Sequence, residues 1–483
     1  MSQKKDIQKI NFFLASIPPR GKNWQAVDYF NFWAVSIQSV IGFSLIATLY
    51  LMYDLNSSVL ILGSLLGGIL TFIFVNYIGS ISQKSGLSFP MILKLSMGSY
   101  GANYASLIRL IVGIFMFGVQ TFFISKSLGY IFRILLYKIN HTSLDHELFL
   151  SFFFGLNLID WFSLILTLVF QFVLFSRGSN SLKSFINFSA IFVYIGLVVF
   201  LIIIVSENYR PLVNSLNLSL KFSNFTTKNN IIPIISLTGT FFTYFSILIL
   251  TFGDFSRYAK NNDELSKGNF GIIINLFIFS IFALLITLGS DLIISKKGIT
   301  LDHILTNPND IIGKIDNNFL TIISLIFIII SSLSTNLIAN YVPSQNILIS
   351  LFPSISNLKT PALFMILSGL LISTFWLSVL SQNSILTFIN TLTAFFGPIF
   401  AIIIADFYNV KKEKINHRDL FNNNSESEYF YNSGTNYKAI FSLLVGFIFS
   451  ASTLWNESLS SFQSFSWIIG AFISYVVYLL LQE

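Results

Sequence analysis

The feature that most constrains this chain is a succession of apolar runs, each long enough to cross a lipid bilayer. A helix needs about 20 predominantly apolar residues to span the hydrocarbon core. Runs of that kind occupy residues 29–50, 58–82, 105–131, 158–176, 184–205, 231–252, 270–292, 319–341, 361–380, 384–407, 438–457 and 463–482. In lipid each backbone N–H and C=O must find its partner within the protein, and a run of this length does so as a helix. The expectation is an all-α membrane protein with twelve transmembrane helices. Composition agrees, since 54% of the 483 residues are hydrophobic and 10% are charged, against about 25% charge in soluble domains. The 54 Phe beside 6 Trp read as the residue bias of an AT-rich genome, so Phe abundance alone carries no functional weight.

An even number of spans puts both termini on one side, and the cations choose the side. With the N-terminus inside, 18 of the 28 Lys and Arg fall in cytoplasmic pieces and 8 outside, leaving Arg109 and Lys126 within span 3. That bias follows the positive-inside rule and predicts a multi-pass protein of the plasma (inner) membrane with cytoplasmic termini. The formal charge of +7 is spread over loops and builds no dense basic patch, so a nucleic-acid partner is not expected. Residues 1–27 are polar and basic, and Phe12 to Ile17 is too short for a signal-peptide core, so the tail is expected to be retained. The longest connections are loop-sized and leave no room for a soluble domain. Any chemistry is therefore intramembrane.

Within the spans, polar residues are sparse. Span 1 holds Gln38, Ser39 and Gly42 in its middle, and span 6 holds Gly239 in its first half and Gly253 at its end. Interruptions at matching places in two halves point to a transporter site, although glycine is also common in membrane helices without any such role. Ser331, Ser334 and Thr335 fall at i, i+3 and i+4 on one face of span 8. Three hydroxyls there either contribute to an oxygen cage for a hard cation such as sodium or bond back to their own helix. Gln38, Gln120 and Asn340 are amides deep in apolar spans, where an unpaired amide is costly. They read as helix-to-helix hydrogen bonds or as groups that meet a polar solute, with Asn336 one turn from Asn340 on the same face. Lys126, six residues past Gln120, is a snorkelling lysine or an outer-gate contact for an anionic or carbonyl-rich solute.

Several stretches, in order, resemble the nucleobase-cation symporter-1 family, the permeases for uracil, cytosine, allantoin, hydantoins and related compounds. They are Gly86-Leu-Ser-Phe-Pro90, Gly98-Ser-Tyr-Gly-Ala-Asn103 with Leu107-Ile-Arg109, Phe117-Gly-Val-Gln-Thr121 and Asp254-Phe-Ser-Arg-Tyr258. Ser334 to Asn340, Gly397-Pro398 with Ala405-Asp-Phe407, and Tyr429 to Asn436 follow. The resemblance implies a LeuT-like fold: two inverted five-helix repeats plus two accessory helices. It divides the chain into a cytoplasmic tail (1–27), a first repeat (28–205), an extracytoplasmic connection (206–230), a second repeat (231–408), a cytoplasmic loop (409–437) and the accessory spans (438–483). It also implies a sodium site made by the carbonyls of Ala34, Ile37 and Ser331 with the hydroxyls of Ser334 and Thr335. The substrate contacts it implies are Gln38, Met116, Gln120, Phe245 and Asn340, which would hold a flat, amide-edged solute by hydrogen bonds and stacking. Here the chain departs from many relatives, which carry Trp where it has Met116 and Phe245. Plain packing is an equal reading of both.

The resulting expectation is a permease that imports a nucleobase-like or hydantoin-like solute by cation-coupled symport and alternating access, acting as a monomer and without a cofactor. No Asp, Glu or His sits at mid-membrane depth, which favours sodium over the proton alternative as the coupling ion. Uptake of a thiamine precursor or an amino acid on the same fold is the nearest alternative. An intramembrane enzyme lacks a buried His, Cys or acid pair, and a channel would need a continuous polar lining.

Overall fold

The computed structural model describes residues 11–52, 57–140, 144, 147–219, 228–296, 304–313, 317–381, 383–421 and 425–482. Lys4, Lys5, Lys9, Lys221, Lys297 and Lys314, all used in the charge count above, and His141, His146 and His303 lie outside the described residues. Among the described residues, ten helices are long and apolar enough to cross a membrane. An eleventh span consists of two half-helices, Ala26–Ile37 and Val40–Leu51, bent by 62°. The shorter apolar helix Lys359–Phe375 stands where the ninth span was expected. Together these correspond to the twelve apolar runs.

Three boundaries differ from the hydropathy reading. Span 3 runs from Phe89 to Ile139, not from 105 to 131, and contains a break at Gly98 (φ 78°, ψ 173°). Residues 89–97 are mostly apolar but too few to cross a bilayer alone, and Gly98, Ser99, Tyr100 and Asn103 separate them from the longer run. The helix of span 5, Ser179–Ser219, continues through Pro211, so much of the expected 206–230 connection is helical. Span 6, Lys228–Thr251, is continuous past Gly239, where an interruption was expected. That glycine serves close packing, since a Cβ there would lie 2.7 Å from the carbonyl oxygen of Ser464. The paired interruption is thus present in span 1 and absent from the middle of span 6.

Contacts between connections sort them into two ends of the bundle. At one end, Trp24 and Tyr258–Lys260 exchange backbone hydrogen bonds, Asn11 reaches the carbonyls of Pro353 and Ile355, and Lys84 pairs with Glu413. These are the tail and the connections after spans 2, 6, 8 and 10. At the other end, Ser127 meets Asn309, Thr243 meets Ser464, and Trp455 meets Thr391. The alternation expected of successive crossings is therefore built into the packing.

Several of the matched motifs meet at the first of these ends. Gly98 opens span 3 so that Asn436 N–H bonds to the Met97 carbonyl and Tyr100 N–H to the Gly434 carbonyl, at 2.9 and 2.8 Å. Asn436 also donates to the Ser96 carbonyl, and Tyr478 donates to Asp406 at 2.8 Å. Lys411 closes the cluster on Asp406, the Leu95 carbonyl and the Tyr431 hydroxyl. Asp254 accepts from the Phe89 N–H at 3.0 Å and so caps the start of span 3 from the end of span 6.

Candidate functional site

Span 1 stops at Ile37 because its next backbone groups turn inward on themselves. Gln38 takes ψ 53°, and Ser39 N–H bonds to the Ile37 carbonyl at 2.9 Å. The Ser39 hydroxyl then accepts from Gly42 N–H at 3.0 Å, satisfying one donor at the start of the second half-helix. Gly42 is required there, since a Cβ would sit 2.3 Å from the Ile37 oxygen. Ser39 also lies 3.3 Å from the Tyr244 hydroxyl of span 6. Gln38 is buried, and neither of its amide atoms has a partner in hydrogen-bonding geometry. Together with Ser39, Phe43 and Ser331 it lines a cavity of about 60 Å³ between spans 1, 5, 7 and 8.

The hydroxyl face of span 8 packs against this break. Thr335 donates to the Val35 carbonyl at 2.5 Å, with the Ser331 carbonyl 3.1 Å away. Ser334 bonds back to the carbonyls of Ile330 and Ser331 at 2.9 and 2.8 Å, and the Ser331 hydroxyl is buried without a partner. The Ala34 carbonyl accepts from Gln38 N–H at 3.2 Å and the Ile37 carbonyl from Ser39 N–H, each retaining a lone pair. The two sets of oxygens expected for a cation thus flank one helix contact, and the carbonyl that meets Thr335 directly is that of Val35. Among the described residues no group of three or more His, Asp or Glu could hold a metal ion, so neutral oxygens are what this region offers a cation.

On the other flank of span 8 the buried amides join into a ladder. Asn340 donates to Gln120 Oε1 at 3.2 Å and to Asn336 Oδ1 at 2.9 Å. Asn336 donates to the Phe117 carbonyl and to the Thr121 hydroxyl, and Thr121 donates onward to Gln171 in span 4 at 3.1 Å. Asn340 lies in a π-helical turn, Leu337–Tyr341, a local widening of span 8 of the kind that recurs at functional sites. Gln171 escaped the sequence reading even though it carries the same signal as Gln120, an amide in the middle of an apolar run.

The remaining candidates are placed less directly. Met116 is partly buried against the core one turn before Gln120. Phe245 is fully buried, with Trp33 of span 1 edge-on at 6.3 Å and Tyr244 at 5.0 Å. Trp33 itself is tied to Asn269 through its indole N–H at 3.0 Å. An indole therefore does approach this region, but from span 1.

Lys126 has a partner that the sequence did not indicate: its ammonium lies 3.2 Å from Asp160 of span 4, which Arg133 also meets at 2.9 Å. The pairing argues for an anchor between spans 3 and 4. Lys126→Met is expected to leave the KM for uptake within about twofold of wild type, because Arg133 still neutralises Asp160. A tenfold change would instead place the lysine on the solute path. Asp254, just beyond the end of span 6, is buried, and desolvation pushes its carboxyl up to about 6 against the opposing pull of Arg257 and the Phe89 N–H.

Comparison with known proteins gives this geometry a family. Residues 16–477 match the profile of a family described as permeases for cytosine/purines, uracil, thiamine and allantoin. Relatives include an allantoin permease of Bacillus subtilis (23% identical, covering 100% of this chain and 95% of the relative). A purine-uracil permease of Arabidopsis thaliana is 26% identical over 75% of this chain and 58% of its own length. Among solved structures, Mhp1, a nucleobase-cation-symport-1 family transporter in a closed conformation with bromovinylhydantoin bound, superposes with a TM-score of 0.71. That match has 17% identity and covers 98% of this chain and 95% of Mhp1. A sodium-coupled sialic acid symporter follows at a TM-score of 0.63, with 15% identity over 95% and 90% of the two chains. The fold is accordingly the LeuT-like transporter fold.

Proposed function

The chain belongs to the family of permeases for cytosine/purines, uracil, thiamine and allantoin, and from that premise we propose that it imports a nucleobase-, hydantoin- or allantoin-like solute by sodium-coupled alternating access. The observation that carries this reading is the buried amide ladder Gln120–Asn340–Asn336 beside the break in span 1. A ureide or pyrimidine edge presents alternating N–H and C=O groups, and carboxamides donate and accept at once. In this reading Gln38, Gln120 and Asn340 bind the amide edge while Met116 and Phe245 flank its faces. A methionine gives a soft sulfur–ring contact in place of stacking. That leaves the solute open among uracil, allantoin, hydantoins and pyrimidine thiamine precursors.

For the cation, Thr335 and Ser334, with the carbonyls of Ala34, Val35, Ile37 and Ser331, form the proposed neutral-oxygen set. Sodium binding would replace the Thr335–Val35 hydrogen bond and so bridge span 8 to the first half of span 1. The two repeats, 28–205 and 231–408, would then rock about this site, with both termini in the cytoplasm as the charge distribution favours. The protein would act as a monomer in the plasma (inner) membrane.

Competition of radiolabelled uracil and allantoin uptake by a panel of nucleobases, hydantoins and thiamine precursors, with sodium varied, tests the reading. Saturable, sodium-dependent uptake supports it, and non-saturating ohmic current refutes it. Thr335→Ala is expected to raise the sodium concentration for half-maximal uptake about tenfold or more while changing solute competition little. Wild-type sodium dependence in that variant would remove Thr335 from the cation set.

A further inference from the structure

Arg109 is a guanidinium buried completely inside span 3. One of its nitrogens, Nη2, donates at 2.7 Å to the carbonyl of Ala339, the residue before Asn340. At α-helical spacing that carbonyl would accept from residue 343, but residue 343 is proline and has no N–H. The π-helical turn Leu337–Tyr341, closed by the Val342 N–H on the Leu337 carbonyl, ends two residues before this proline, so residue 343 offers no N–H to the turn that carries Asn340. Gly113 lets the guanidinium fold back over the next turn of span 3. A Cβ there would meet Arg109 Nη1 at 2.8 Å and the Ser344 hydroxyl of span 8 at 2.4 Å. The Phe396 ring of span 10 lies 5.9 Å beneath the guanidinium, and the charge of Asp254 is felt from the end of span 6.

We infer that Arg109 is a positioning residue for solute binding: it supplies the hydrogen bond that Pro343 withholds from Ala339, and so holds the widened turn that aims Asn340 at Gln120. A charged donor is suited to the task, because a bond from an ionised group to a carbonyl is shorter and stronger than a neutral one. Span 8 thereby keeps a distorted turn at the site without losing the carbonyl to desolvation. The inference rests on the reading above that Asn340 contacts the solute.

The test uses the full-length protein in proteoliposomes, with radiolabelled allantoin and uracil as probes and hydrogen exchange of residues 337–345 read by mass spectrometry. Arg109→Gln is expected to raise KM at least tenfold with Vmax within about twofold, and to speed exchange in 337–345 but not in spans 11 and 12. Pro343→Ala restores a backbone N–H, and the double variant Arg109→Gln/Pro343→Ala is expected to recover KM to within about threefold of wild type and to slow the exchange again. A general structural role for the arginine would not be rescued at residue 343. Wild-type KM and exchange in Arg109→Gln, or a double variant no better than the single one, overturn the inference. If Arg109→Gln does not fold, the double variant and Arg109→Lys decide: failure of both to restore protected exchange in 337–345 also overturns it. Asn340→Ala, run in parallel, separates the two levels. Wild-type KM in that variant sinks the solute-site reading, while the exchange of 337–345 still judges Arg109.

Discussion

Gln120→Ala is expected to abolish measurable high-affinity uptake while the protein still inserts and folds. Gln120 is the amide through which span 3 reaches the ladder, and its Oε1 accepts from Asn340 at 3.2 Å. Truncation removes a group proposed to bond the solute and leaves the Asn340 amide without that acceptor. A buried polar group deprived of its partner costs about 1–3 kcal/mol. Where the partner lost is a polar group of the bound solute, a cost of that size corresponds to roughly 5- to 150-fold in affinity. Asn336 keeps its bonds to the Phe117 carbonyl and the Thr121 hydroxyl, so the pairing of spans 3 and 8 survives and the melting temperature of purified protein should fall by only a few degrees. Uptake with unchanged KM would show the ladder to be a helix-to-helix fastening and nothing more.

The second large effect is structural. Gly98→Ala is expected to eliminate most folded protein. Gly98 holds φ 78° and ψ 173°, a conformation essentially confined to glycine, and strain there is worth about 1–3 kcal/mol. The added Cβ would also lie 2.6 Å from the Gly434 carbonyl oxygen. That oxygen cannot simply withdraw, because it accepts the Tyr100 N–H at 2.8 Å. Displacing it unseats the 428–436 segment and with it the Asn436, Tyr431 and Lys411 bonds onto residues 95–97. Gly178→Ala is the control, since a Cβ there meets nothing within 4 Å. Size-exclusion profiles and melting temperatures after solubilisation provide the measurement, and a Gly98→Ala protein that behaves like Gly178→Ala would contradict the account.

The mapping of residues onto spans was legible because hydropathy is a local property: every apolar run corresponds to a helix. Span 3 shows where that logic stops. Its segment 89–103 holds an apolar stretch too short to span, followed by Ser99, Tyr100 and Asn103, and so reads as a connection, yet it is helical and mostly buried in protein. The motifs were legible as motifs, but their work was not. Gly98, Asp406 and the Tyr429-to-Asn436 stretch lie far apart in the chain and meet only when span 10 and its loop fold back on span 3. Lys126 gave no hint of Asp160, since pairing across two helices depends on their rotation and depth. The glycines of span 1 and span 6 looked equivalent in sequence. In the structure, Gly42 serves a broken helix and Gly239 serves close packing against Ser464.

The sequence by itself determined that this chain is a bundle of membrane helices, that its loops are charged asymmetrically and that its mid-membrane depth carries amides and hydroxyls in place of Asp, Glu or His. Those are consequences of transfer free energy, which each segment carries wherever it ends up. The tertiary structure decided which amides touch, which carbonyl meets Thr335, and that a buried arginine stands in for the N–H missing at Pro343. These depend on the mutual rotation of helices, and hydrogen bonds discriminate over fractions of an ångström that no local pattern encodes.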